Sequence, residues 1–218
     1  MRRTVDDLAS VGTASVGAMP KLVDVDARRK DLLEAVWRII PRSGIAAATT
    51  RAIAREAGVS NGVLSHYFPD KDSLLIEALR TAYNRAQARM RDVTRGLVGL
   101  DAVRAIMIEA LPLDEKRLVE AQVGVSFWGL ALGNERLLGV MRAEWERFWD
   151  VLSFRVDEAR SLDQLAANVR PDDLTHELIV LVEGISAQAV LYPQRVPAER
   201  QIEILDSVLD RVSAPVVG

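Results

Sequence analysis

The chain has 218 residues, 49% of them hydrophobic, with no cysteine and a formal charge of −3. That length supports one small domain plus a larger one, or two lobes of a continuous helical body. Lack of cysteine excludes disulfide scaffolding, thiolate catalysis and sulfur-ligated metal sites together, and no apolar run reads as a membrane span, so a soluble, cytoplasmic protein is expected.

The opening MRRTVDDLASVGTASVGAMP has two early arginines, but Asp6 and Asp7 interrupt the apolar stretch that an export signal requires. Residues 1–22 are expected to form a disordered extension, with Met19 a candidate natural start. Asp24 or Asp26 can cap a first helix whose stripe Leu32, Leu33, Val36, Ile39 and Ile40 packs a small domain beside Trp37. Pro41 is expected to kink or curtail its last turn, and Gly44 to end it.

Residues 49–68, TTRAIAREAGVSNGVLSHYF, are the most informative segment. Thr49 and Thr50 can cap a helix of about Arg51 to Ala57, whose apolar positions are Ile53, Ala54 and Ala57. Gly58 sits where the chain leaves it with positive φ, and Ser60 can cap a second helix from Asn61 to Tyr67. Val63 and Leu64 are expected to pack inward, leaving Asn61, Gly62, Ser65 and His66 on a small, polar outer face. A major groove admits such a helix, and a glycine there lets backbone approach phosphate.

From Ala57 to Lys71 the chain reads A-G-V-S-x-G-x-L-x-H-Y-F-x-x-K, and over residues 24–80 it resembles the DNA-binding domain of TetR-family bacterial transcription regulators. The ending V-L-S-H-Y-F-x-D-K and the upstream Met19-Pro20-Lys21-Leu22 resemble the BetI group, named for a choline-responsive repressor of betaine synthesis; Ser65 stands where many TetR-type proteins place Tyr. The resemblance implies that Thr50, Arg51, Ser60, Asn61, Gly62, Ser65, His66, Tyr67 and Lys71 meet DNA. Arg51, Tyr67 and Lys71 are then phosphate contacts, and Asn61 and Ser65 base-reading ones. His66 is either a contact or a surface residue without a role, and Phe68 is read as packing.

Charge is divided along the chain. Residues 24–95 hold 13 Lys and Arg against 9 Asp and Glu, a net of +4, while residues 96–218 hold 12 against 20, a net of −8. Because exposed charges beyond ~8 Å are largely screened at physiological salt, the basic segment can attract phosphate despite the acidic remainder.

Helices are expected throughout, with no β alternation, repeat or low-complexity tract. Residues 23–70 form a three-helix helix-turn-helix domain, 71–95 a connecting helix, and 96–218 a larger ligand-sensing and dimerisation domain. Gly96 and Gly99 mark its boundary, and Asp101 and Asp114 begin two helices separated by Leu111-Pro112-Leu113. Leu138, Met141, Trp145, Phe148 and Leu152 recur at 3,4,3,4 spacing, a core stripe first of all. Phe127, Trp128, Trp145, Phe148 and Trp149 lie near several carboxylates, so a pocket for an apolar or cationic small molecule is also expected. Glu183 interrupts the apolar LIVLVEGISAQAV; it either faces a cationic ligand or meets a polar group such as Gln188 across a subunit interface. His176 is expected to be exposed.

Two final helices, Pro171 to Leu191 and Pro197 to Val212, carry the apolar faces Leu174, Leu178, Leu181, Ile185, Ala189 and Ile202, Leu205, Leu209, Val212. They suit a four-helix bundle shared by a homodimer, the arrangement that the TetR resemblance implies. With two histidines 110 residues apart, no phosphate-cradling glycine loop and no metal-ligand spacing, neither an enzyme nor a cofactor or metal site is expected. The function expected is a ligand-responsive homodimeric repressor on a palindromic double-stranded DNA operator, released by a small-molecule inducer. Its alternatives are an activator of the same build and a helical protein-interaction adaptor without DNA binding.

Overall fold

The computed structural model describes residues 22–215, and apart from one isolated bridge between Leu165 and Ser213 their regular structure is helical. In chain order these are α1 (Leu22–Ser43), a 3₁₀ turn (Ile45–Ala47), α2 (Thr50–Glu56), α3 (Asn61–Tyr67), α4 (Lys71–Val93), α5 (Gly99–Ala110), α6 (Glu115–Ala131), α7 (Glu135–Ser161), α8 (Pro171–Leu191) and α9 (Ala198–Val212). The expected disordered extension and the Met19-Pro20-Lys21 motif lie outside the described residues.

Three boundaries differ from expectation. The first helix already begins at Leu22, so Asp24 and Asp26 stand inside it and cannot be its caps. Pro41 does not stop it, since the helix runs to Ser43 before Gly44 leaves at φ 76°; near the end of a helix proline breaks little beyond its own turn. α5 starts at Gly99, two residues ahead of Asp101, which sits in its first turn.

Two buried clusters hold the fold. One joins Leu32, Val36 and Ile40 of α1 to Ile53, Leu64, Phe68 and Leu74, and is completed by Phe127 of α6 and Leu137 and Met141 of α7. The other gathers Met90 of α4, Ile106 and Met107 of α5, Leu152 and Val156 of α7, Leu178 and Ile185 of α8, and Leu205 and Leu209 of α9. α4 contributes to both. The small head therefore rests on α6 and α7 through shared core rather than through a linker. At ~1.5–3 kcal/mol for each fully buried large apolar side chain, this contact is substantial.

The terminal helices also differ from expectation. Leu174, Leu178, Ile185 and Ala189 of α8, and Leu205, Leu209 and Val212 of α9, are buried within their own subunit, while Leu181 and Ile202 are half-buried. α8 packs on α6 and α7, and α9 on α5. Val180, Leu191 and Tyr192 are the large apolar residues that this end leaves exposed. α8 is, moreover, long and apolar enough by length and composition to cross a membrane, although no such run was expected; its buried face is a core face.

Candidate DNA-binding surface and ligand cavity

The helix-turn-helix forms where its caps place it. Thr49 Oγ1 accepts from Ala52 N at 3.2 Å and starts α2; Ser60 Oγ accepts from Val63 N at 3.3 Å and starts α3. Gly58 makes the turn at φ 67°, a conformation that L side chains adopt only at a cost. Leu64 anchors α3 in the core, while Ser60, Asn61, Gly62, Ser65 and His66 are exposed. Val63, expected to pack inward, is also exposed, because a seven-residue helix has little more than one buried row.

Arg51 is exposed, and Thr50, Tyr67 and Lys71 are half-buried. Tyr67 packs against the core and meets His66 edge-on at 5.5 Å. Phe68 is buried with the Arg29 guanidinium 4.7 Å from its ring centre. Arg29 also donates to the Tyr67 carbonyl at 3.3 Å and pairs with Glu77 of α4, so one side chain ties the end of α3 to α4. Arg55 was missed in the sequence: it is exposed one turn after Arg51 on the same face of α2, without an ion-pair partner among the described residues. The i, i+4 spacing from Arg51 was its signal. Arg38 and Arg42, by contrast, are both held by Glu56, at 2.8 and 2.7 Å.

The larger part of the molecule forms a half-open cavity of about 200 Å³ between α4, α5, α6, α7 and α8. Trp128, Trp145, Phe148 and Glu183 line it; Phe127 lies wholly in the core and Trp149 stands outside, edge-on to the exposed His176 at 5.5 Å. Trp145 and Phe148, half-buried rather than core, meet edge to face at 6.0 Å. Tyr83 and Gln87 of α4, Glu144 of α7 and Ser186 of α8 are lining residues that periodicity did not single out. Glu144 is only 3% exposed and pairs with Arg147, with Gln87 Nε2 at 3.4 Å.

Glu183 has no hydrogen-bond or ion-pair partner among the described residues, and burial pushes its carboxyl above the usual range, a trend that His176 opposes. Burial, with the nearby charges of Glu144 and Glu183, pushes the Tyr83 phenol up to about 12. Aromatic faces beside a carboxylate that has no partner among the described residues offer contacts suited to a positive group.

A helix-turn-helix head continuous with a helical, cavity-bearing body defines a ligand-responsive DNA-binding regulator. The model for bacterial regulatory proteins of the tetR family matches residues 32–78, and that for the C-terminal domain of BetI-type transcriptional repressors matches residues 99–214. The chain belongs to the TetR family of bacterial transcriptional regulators, and it is not an enzyme. It is similar to the regulator PksA of Bacillus subtilis, 33% identical with 84% of this chain and 88% of that protein covered. It is also similar to the regulator BetI of Vibrio parahaemolyticus, at 27% identity over 88% and 96%. Among solved structures, a transcriptional regulator from Rhodococcus sp. Rha1 superposes with a TM-score of 0.77 at 28% identity, covering 86% of this chain and 98% of that one. A regulator from Saccharomonospora viridis in complex with choline gives 0.81 at 20% identity, covering 87% and 100%.

Proposed function

We propose that two copies of this chain, acting in the cytoplasm, bind a palindromic operator as a repressor and release it when a small cation enters the cavity. The observation that carries the DNA half is the outward face of α3, where Asn61, Gly62, Ser65 and His66 stand exposed behind the Ser60 cap. Asn61 and Ser65 read base edges in this scheme; Arg51, Tyr67 and Lys71, joined by Arg55, hold phosphate, and Thr50, Ser60 and Gly62 bring backbone close to it. One short helix offers few base contacts, so the reading head works as a pair, with half-sites about 34–36 Å apart or a multiple of that.

The partner is met through the last two helices, by the side of α8 that carries Val180, Leu191 and Tyr192, with the charged outer edge of α9 at the rim. The ligand half rests on Glu183, which lies unpaired beside Trp128, Trp145 and Phe148. A desolvated carboxylate costs least when a cation neutralises it, and aromatic faces add ~0.5–2 kcal/mol each. Choline in the Saccharomonospora viridis neighbour is a cation of this kind, so the fold can house one.

Selection from a randomised DNA pool by the full-length chain tests the proposal. A recovered palindrome, bound with steep salt dependence and lost on adding a trimethylammonium ligand, is the expected result. Binding that is indifferent to sequence and salt sinks it in favour of a protein-interaction adaptor.

A further inference from the structure

With seven residues, α3 is too short to satisfy its own last carbonyls, and Arg29 of α1 supplies a donor to that of Tyr67, its Nη1 standing 3.3 Å away. The other two nitrogens of Arg29 go to Glu77 of α4, Nε at 2.5 Å from Oε1 and Nη2 on Oε2. The guanidinium also lies 4.7 Å from the ring centre of Phe68. Three helices therefore meet at one side chain, whose charge suits the negative end of the α3 backbone dipole. Packing alone orients α3 loosely. Leu64 is its one fully buried residue, and Phe68, four positions on, continues the same row; a single row defines a line about which a short helix can roll. Ser60 caps the other end, but a cap fixes the start of a helix rather than its roll. Side chains that bind through directed contacts must be held within about 0.5 Å and 10–20°.

We infer that Arg29 and Glu77 are positioning residues for DNA recognition: their fork sets the roll of α3, and with it the placement of Asn61 and Ser65 on base edges, without itself touching DNA. The inference rests on α3 being the reading helix, as proposed above, and adds what aims it. The rival role for Arg29 is a phosphate contact, since it stands beside Tyr67. The two roles differ in sign at Glu77. Were Arg29 a phosphate contact, removing the acid beside it would release its fork and take a negative charge from the head, so every DNA would be bound more tightly. Where the pair aims α3, losing either partner weakens the sequence-specific complex. Lysine at position 29 separates the roles a second time: it keeps the charge that a phosphate needs, but one ammonium cannot reproduce a planar fork.

Full-length Glu77→Gln, Arg29→Lys and the double variant test it beside the native protein, each first shown by circular dichroism to be folded at the working temperature. Fluorescence anisotropy is measured on the operator that the native chain selects from a randomised pool and on a scrambled duplex, at several salt concentrations. Either single variant is expected to lose about tenfold on the operator, the size of one misplaced base contact. Binding to the scrambled duplex should stay within about twofold and the slope of log affinity against log salt should not change, because no phosphate contact is lost. The double variant should lose no more than the worse single one, since the same fork is broken only once. A purely structural role, in protein that is folded, would leave the ratio of operator to scrambled binding where it was. Should Arg29→Lys fail to fold, the near-isosteric Glu77→Gln decides alone. Tighter binding by Glu77→Gln, equal losses on both duplexes, or operator affinity within about threefold of native in both single variants overturns the positioning role and leaves α3 as the reading helix. If the native chain selects no sequence, the reading of α3 falls and the clamp with it.

Discussion

Arg136, in the first turn of α7, reaches across to Asp70, the cap of α4, with its guanidinium 3.1 Å from the carboxylate and a second nitrogen 3.0 Å from the Ser73 hydroxyl. Beside it Asn134, the cap of α7, donates to Asp72 at 2.6 Å. The α6–α7 corner thus grips the start of α4 one residue from Lys71 and shortly after the end of α3. Because Trp128 of α6 lines the cavity a turn before this corner, a ligand that shifts α6 has a polar route to the reading head as well as the shared apolar core.

Removing the grip should separate affinity from response. Arg136→Ala is expected to leave operator binding of the ligand-free protein within about threefold, while reducing the ligand-induced loss of binding. Site–site coupling is typically worth ~1–3 kcal/mol, so a tenfold fall in the induction ratio is a reasonable size. Fluorescence anisotropy on a labelled operator, with and without saturating ligand, measures both numbers. An unchanged ratio would leave the core contact as the sole link.

The same pair gives a pH signature. The Ser73 backbone N–H, then its hydroxyl, then Arg136 hold the Asp70 carboxyl down to about 2 from an ordinary 3.8. A depressed folded value means that this stabilisation is complete above the unfolded value and is lost as pH falls through about 2. Carbon-detected NMR titration of Asp70 should show it ionised throughout the range where exposed aspartates protonate. In Arg136→Ala its midpoint should rise but stay below the ordinary value, since the first and largest cause remains.

Tyr83 titrates in the opposite sense. Its phenol is pushed up to about 12 by burial and the neighbouring carboxylates, against an ordinary 10. The native state thus holds its proton more tightly than the unfolded chain, and the stability this contributes is present below pH 10 and lost as pH rises toward 12. Difference absorbance between the native protein and Tyr83→Phe should place the midpoint well above that of an exposed tyrosine; a midpoint near 10 would mean that the cavity is wetter than its lining implies.

Glycines at the same backbone sign should differ in cost. Gly99 begins α5 at φ 55°, where a Cβ would stand 2.0 Å from Gln164 Oε1, the acceptor for Leu100 N at 2.8 Å, and 3.3 Å from the Ala159 backbone. Gly58 has φ 67° and open space around it. Alanine at 58 should cost ~1–2 kcal/mol for conformation alone, and alanine at 99 more, because Gln164 must give up its bond as well. Thermal unfolding of the two variants ranks them, and equal losses would contradict the steric account.

The reading head was legible in the sequence because its information is local: Thr49, Ser60 and Gly58 act within three or four residues of themselves. Helix starts fared worse where capping was assumed, as at Asp101, since α5 begins after Val98 without a side-chain cap. The cavity was half legible. Trp128, Trp145, Phe148 and Glu183 stood out by type, whereas Phe127 and Trp149 differ from them only by where neighbouring helices cross. Tyr83, Gln87, Arg89 and Glu144 are ordinary residues of polar helices until tertiary packing turns them inward, and no spacing on one helix encodes that. The apolar stripe of α8 was visible, but whether it covers its own domain or a partner depends on which helices lie beside it.

Arg51 and Asn61 allow positioning and reading to be told apart on DNA. Arg51 is exposed on α2 without an acid held to it among the described residues, so in the proposed scheme its loss should remove one phosphate contact. Arg51→Ala is then expected to weaken binding to all sequences alike and to lower the slope of log affinity against log salt by about 1. Asn61 is uncharged and leads the exposed face of α3. Asn61→Ala should leave that slope unchanged while costing ~1–3 kcal/mol at its preferred base and little elsewhere, relaxing the consensus at one position in each half-site. Affinity measured for the selected operator and for single-base variants, at several salt concentrations, distinguishes the two. Should Asn61→Ala weaken every sequence equally, α3 would be holding backbone rather than reading bases, and the base-reading role would pass to other residues of the head.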